Sequence, residues 1–190
     1  MVNPFEYVSI LVSIILGLGI TQLLSAFSDL LYNYRKVKFY WPHSFWIVFI
    51  LFLHIQDWFI TYQLRDKQVW NLPELSFVLF YPITLFMVAK MLLPTNESEE
   101  RNDMKSFYFS QYPILFLITS LSIISSLVFN YYFLHVTALQ QVPLFLFLAA
   151  MIYLPIKKVD NELIHKILAV AIVALSLVSV VIEKDFWVIK

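Results

Sequence analysis

Long apolar runs alternate with short polar clusters along the whole chain. A helix needs about 20 apolar residues to cross a ~30 Å hydrocarbon layer. Six runs approach or reach that length, at roughly 7–29, 43–63, 75–93, 112–134, 138–156 and 164–182. The pattern predicts an all-α fold, an integral membrane bundle of six transmembrane helices forming one domain over 1–190. The fifth run is short and carries Pro143 and Pro155 near its ends. Pro82 inside the third removes a backbone hydrogen bond, which predicts a kink. Residues 94–111 are the one sizeable polar segment and read as a solvated connector. No basic residue precedes the first run and no small-residue cleavage site follows it, so it reads as a retained helix rather than a signal peptide.

Within the runs, the polar residues are periodic. In the first, Ser9, Ser13, Gly17, Thr21, Ser25 and Asp29 recur every four residues, which places them on one helical face. Such a stripe of small residues predicts a packing seam against a neighbouring helix, or alternatively the lining of a path. Gln22 stands beside it and needs a polar partner. In the second run, His43, Ile47, Ile50, His54, Asp57 and Thr61 alternate spacings of four and three, one face of a packed helix. His54 and Asp57 therefore point the same way, and Gln56 belongs to another face. With the span centred near residue 53, His54 falls close to the midplane and Asp57 roughly 6 Å beyond it. A hairpin of the first two helices sets this depth against Gly17 and Ser13. The fourth run offers Thr119, Ser122, Ser126 and Asn130 on one face, so a cluster of His54, Asp57, Ser13, Ser126 and Asn130 is geometrically available. The first and fourth runs are similar enough to suggest two inverted halves of three helices.

Composition supports the membrane reading: 61% of residues are hydrophobic and 14% charged, where soluble domains are about half apolar and a quarter charged. Thirteen basic and thirteen acidic residues give zero net charge and no reason to expect a nucleic-acid partner. The absence of cysteine excludes disulfides and thiolate chemistry. If six helices alternate, nine basic residues (Arg35, Lys36, Lys38, Lys90, Arg101, Lys105, Lys157, Lys158 and Lys166) share one side. Four (Arg65, Lys67, Lys184 and Lys190) share the other. The positive-inside rule puts the nine in the cytoplasm and both termini outside it. Trp41 then falls at the cytoplasmic interface, and Trp70 and Trp187 near the outer one, where indole rings favour the headgroup region. The mixed basic and aromatic stretch RKVKFYWPH (35–43) reads as interfacial anchoring, with lipid as the partner.

An ionised aspartate near mid-bilayer costs at least ~2.5–3.5 kcal/mol. That cost selects for pairing with His54, for protonation or for contact with water. His54 and Asp57 could touch one metal ion with His135 as a third ligand, but there is no HExxH and no second deep histidine for haem, so no metal or cofactor is expected. Hydrolase, P-loop and dinucleotide signatures are missing, and no nucleophile–base arrangement is legible, which argues against an enzyme.

Three stretches, YVSILVSIILGLGITQLL (7–24), KFYWPHSFWIVFILFLHIQDWF (38–59) and MLLP followed by NDMKSFYF (91–94, 102–109), resemble an uncharacterised family of small bacterial multi-pass membrane proteins. The likeness covers roughly the first 60% of the chain. Gln22 stands where that family often has a histidine, and a second family histidine, just after Asp103, has Ser106 or Phe107 nearby here. The resemblance implies the cytoplasmic (inner) membrane of a bacterium and brings no known activity. The leading expectation is a small-solute or proton transporter, or an oligomeric channel. In it His54 and Asp57 carry the ligand or proton, and Gln22, Ser13, Thr21, Ser126 and Asn130 line the path. The alternative is a non-transporting sensor, scaffold or partner subunit whose polar residues only pack the bundle.

Overall fold

The computed structural model describes residues 3–94 and 103–182, the Ile182 side chain excepted. Six helices follow one another: α1 (Pro4–Tyr32), α2 (Trp41–Tyr62), α3 (Leu72–Met91), α4 (Met104–Tyr132), α5 (Val142–Ile156) and α6 (Glu162–Ile182). No strand accompanies them among the described residues. Five of the six are long and apolar enough to cross a membrane; α5, at 15 residues, is the exception. Leu18, Val48, Ile114, Leu146 and Leu177 are exposed on the outside of the bundle, the arrangement expected of a lipid-facing surface.

Helix starts are set by local chemistry. Asn3 caps α1 in a reciprocal capping box with Glu6, and Pro4 occupies the first turn, where its missing N–H costs nothing. Asn71 caps α3 by accepting from the Glu74 amide. Asp103 caps α4, accepting from Lys105 N at 3.0 Å and Ser106 N at 3.1 Å. This last cap corrects one boundary: α4 starts at Met104, so residues 104–111 are two helical turns and not part of a solvated connector. Met104, Phe107 and Tyr108 are buried, and Met104 N donates to Lys38 O at 3.1 Å, which ties the start of α4 to the start of α2. Pro113 sits inside the helix. Residues 95–102, Arg101 among them, and Lys184, Trp187 and Lys190 lie outside the described residues.

The helices alternate in direction. The 33–40 and 157–161 segments, residues 92–94 at the end of α3 and Asp103 at the start of α4 gather at one end, as the Lys38–Asp103 bridge and the Lys105–Glu162 ion pair at 2.6 Å require. This is the basic end. At the other end Phe77 stacks on Phe133, and Lys67 pairs with Glu74 at 3.2 Å. α2 is central, with α1, α3, α4 and α6 all against it, while α5 packs on α4. α6 therefore lies backbone-close to a helix of the first half and to neither of its own half. The two halves do not share a packing plan, which removes the support for a repeat.

The seam expected on α2 is the buried one: His43, Ile47, Ile50, His54, Asp57 and Thr61 are all buried, and Gln56 lies off it, half-buried. The stripe on α1 is corrected. α1 turns Val8, Val12, Leu16, Gly19 and Leu23 inward, leaving Ser9 and Ser13 half-buried and Gly17, Thr21, Ser25 and Asp29 exposed. The hydroxyls explain why this is tolerable. Thr21 donates to Gly17 O at 2.7 Å, Ser28 to Leu24 O at 2.8 Å and Ser9 to Glu6 O at 3.0 Å. Each satisfies itself on its own helix and needs no partner across a seam.

Candidate functional site

His54 and Asp57 share a face, but they do not pair: no ion pair joins them among the described residues. The His54 ring, fully buried, bends back along its own helix and bonds the Ile50 carbonyl at 2.7 Å. A carbonyl only accepts, so Nδ1 carries the proton and Nε2 keeps a bare lone pair. That nitrogen has no hydrogen-bond partner among the described residues. It is pressed against α1 at Gly19, where an added Cβ would fall 2.7 Å from His54 Cδ2. The residue opposite His54 is thus Gly19 and not Gly17, whose Cβ position is open for 4 Å around. His54 fills a notch that only glycine leaves.

Asp57 faces elsewhere. It lies about 8 Å beyond the midpoint of α2, away from the basic end, and borders a cavity of about 20 Å³ between α2, α3 and α4. That volume admits one water-sized occupant. Five other oxygen-bearing residues line it, Thr61, Tyr81, Ser125, Ser126 and Asn130, together with the apolar Ile60, Phe77, Val78 and Phe129. No basic side chain does. Asp57 is 8% exposed, and its Oδ2 has no hydrogen-bond partner among the described residues. It is also the one buried acidic side chain among them. A carboxylate in that position, with one oxygen unsatisfied, carries a desolvation cost that a proton, a water molecule or a cation would relieve.

Of the residues expected at the site, Asp57, Ser126 and Asn130 come together, and His54 does not join them. Ser13 lines a separate groove of about 460 Å³ on the α1–α2 flank, with Ser9, Trp58 and Tyr62. Thr61 borders both this groove and the Asp57 cavity, so its side chain stands between them. Thr21 and Gln22 are exposed on the outer face of α1. His135 is exposed in the turn after α4, and no group of three metal-ligating side chains assembles among the described residues. Sequence reasoning missed Tyr81 and Ser125. Tyr81 stands one residue before Pro82, and four-residue spacing from Ser122 selects Ser126 over its neighbour.

A second polar cluster, at the basic end, went unforeseen. Tyr108 on α4 bonds His165 Nδ1 at 2.8 Å, and His165 Nε2 bonds the Val159 carbonyl at 2.7 Å. The carbonyl fixes the proton on Nε2, so the Tyr108 hydroxyl donates to Nδ1 and the imidazole is neutral between two partners. Tyr112 donates to Asp160 at 2.9 Å beside it. His43 stands edge-on to Tyr108 at 5.9 Å and Trp46 packs on Phe116 at 5.0 Å. No helix of the second half lies backbone-close to α6, so its links to α4 are side-chain ones, the Tyr108–His165 bond and the Lys105–Glu162 ion pair among them. Tyr108→Phe should strip His165 of its donor and cost about 1–3 kcal/mol, read as a lower melting temperature of the purified protein; an unchanged value would mean the bond holds nothing. Comparison with known proteins adds nothing to this geometry, because no protein-family model, curated protein or solved structure matches the chain.

Proposed function

We propose that the chain is a six-span membrane protein that passes protons, or a cation no larger than a water molecule, by way of Asp57. One observation carries this: a buried carboxylate, one oxygen of which has no hydrogen-bond partner among the described residues, borders a one-water cavity that hydroxyl and amide side chains also line. Intramembrane ionisable groups of this kind are functional candidates by default. A 20 Å³ cavity leaves no room for a larger solute, which narrows the transport expectation to ions. The α1–α2 groove, sharing Thr61 with the cavity, is the approach from the side opposite the basic end. The test is proton flux in liposomes, with Asp57→Asn expected to abolish it.

The nine-to-four split of basic residues supports a cytoplasmic basic end and external termini in a bacterial inner membrane. α5 completes the sixth crossing with its flanking turns. In single-cysteine variants of this cysteine-free chain, position 68 should label from outside and position 158 should be protected. The reverse would invert the orientation. A wall of six helices is thin, so the conducting unit is read as a homo-oligomer. The outward α1 stripe, Gly17 and Thr21 included, lets a second backbone approach closely. Oxidative cross-linking of Thr21→Cys in membranes reads this contact.

The rival is a non-transporting sensor, scaffold or partner subunit, and His54 favours it. Its ring is spent on filling the Gly19 notch and on its own helix, which is packing. In our reading His54→Ala lowers stability and leaves flux through Asp57 in place, provided the bundle folds.

A further inference from the structure

The chemistry of the cavity wall deepens the reading of Asp57 as an ion-handling carboxylate, on which the following rests. We propose that the Asp57 cavity is a binding site for a single Na⁺, which competes with the proton for the carboxylate. The polar residues of the wall are all oxygen-bearing: the Asp57 carboxylate, the hydroxyls of Thr61, Tyr81, Ser125 and Ser126, and the Asn130 amide, set among the apolar Ile60, Phe77, Val78 and Phe129. Carboxylate, hydroxyl and carbonyl oxygens suit hard cations, and the lack of imidazole or thiolate in the wall disfavours transition metals. The charge balance selects a monovalent ion. One carboxylate with one Na⁺ is neutral, whereas a divalent ion would leave a net positive charge buried between α2, α3 and α4, at a large desolvation cost. Mg²⁺ also keeps several waters, and a 20 Å³ cavity has no space for them. The carboxylate favours Na⁺ over the larger K⁺, because the smaller ion brings its charge closer to the oxygen.

Nothing else nearby neutralises the carboxylate. α3 turns Tyr81 toward it, α4 turns only Ser125, Ser126, Phe129 and Asn130, and on α2 the His54 ring is committed to Ile50 and the Gly19 notch. Asp57 Oδ2, buried and unpartnered, borders the space where the ion sits. The wall draws on three helices, so an ion there ties them together and stabilises the folded bundle by mass action.

The test is thermal unfolding of the full-length protein in detergent at fixed ionic strength, with NaCl replaced stepwise by choline chloride or KCl. Saturating Na⁺ should raise the melting temperature by roughly 5 °C, K⁺ by less than half of that, and a lower pH should demand more Na⁺ for the same rise. Asp57→Asn should remove the Na⁺ response. Should that variant not fold, Asn130→Ala should raise the half-saturating Na⁺ about tenfold. No response beyond choline, an equal response to K⁺, or a full response in Asp57→Asn overturns the proposal. Proton flux in liposomes separates the two readings. Flux through Asp57 without a Na⁺ response sinks the Na⁺ site and leaves proton handling; a Na⁺ response without flux does the opposite.

Discussion

Asp57→Asn should leave a protein that folds as well as before, or better, and conducts nothing. The substitution keeps the shape of the side chain and removes its charge. In the native chain the carboxylate is buried, borders a cavity with room for one water-sized occupant, and has one oxygen without a hydrogen-bond partner among the described residues. Ionisation there is opposed by desolvation of at least ~2.5–3.5 kcal/mol. The amide carries no such cost and finds acceptors and donors in Ser125, Ser126 and Asn130, so stability should rise by about 1–3 kcal/mol. Flux should fall at least tenfold, to the level of empty liposomes, because an amide neither binds nor releases a proton at neutral pH. Opposite movement of stability and activity is the signature of a site kept at a cost to folding. Retained flux with a lower melting temperature would instead assign Asp57 to packing.

Gly19→Ala and Gly17→Ala, two residues apart on one helix, should have opposite outcomes. A Cβ at position 19 meets the His54 ring, with Cδ2 2.7 Å away, while one at position 17 meets nothing within 4 Å. Neither partner yields easily: the α1 backbone is fixed by its own helix, and His54 Nδ1 is held to Ile50 O at 2.7 Å. Overpacking of this kind costs 1–3 kcal/mol and occasionally more, and we expect about 3 kcal/mol for Gly19→Ala. Gly17→Ala should gain about 0.5–1 kcal/mol from helix propensity alone. His54→Ala removes the obstacle and leaves a void. The double variant, Gly19→Ala with His54→Ala, should then be more stable than the sum of the two losses predicts, with a coupling of about 1–3 kcal/mol. Reversible unfolding of the four proteins reads the cycle, and additive losses would mean the notch is not where His54 rests.

What was legible in the sequence follows from what periodicity encodes. The α2 seam from His43 to Thr61 could be read because alternate four- and three-residue steps define a face, and polar residues on it had to be inside. The α1 stripe was just as regular, yet periodicity says only that residues share a face, not which way the face turns. Thr21, Ser9 and Ser28 bond their own carbonyls, so that face can meet lipid. The packing of α3 and α6 on α2 was beyond reach for the same reason, and so was the choice of Gly19 over Gly17. The Tyr108–His165 pair spans 57 positions, and neither residue is unusual where it stands. The start of α4 was obscured by the polar residues before 112, which look like loop until Asp103 is recognised as a cap.

The unequal lengths of the helices bear on the bilayer itself. α5, at 15 residues, is about 22 Å long, while α1 and α4, at 29 residues, reach about 43 Å. A ~30 Å hydrocarbon layer fits neither. If α5 makes the proposed sixth crossing, the lipid beside it must thin wherever its flanking turns do not make up the length, and the longer helices must tilt or project, each at a fraction of a kcal/mol per Å of mismatch. α5 packs against α4, and α4 supplies Ser125, Ser126 and Asn130 to the Asp57 cavity. Under the same condition, acyl-chain length in the surrounding membrane would bear on the tilt of the helix that walls the Asp57 cavity, and bilayer thickness would reach the cavity through α4.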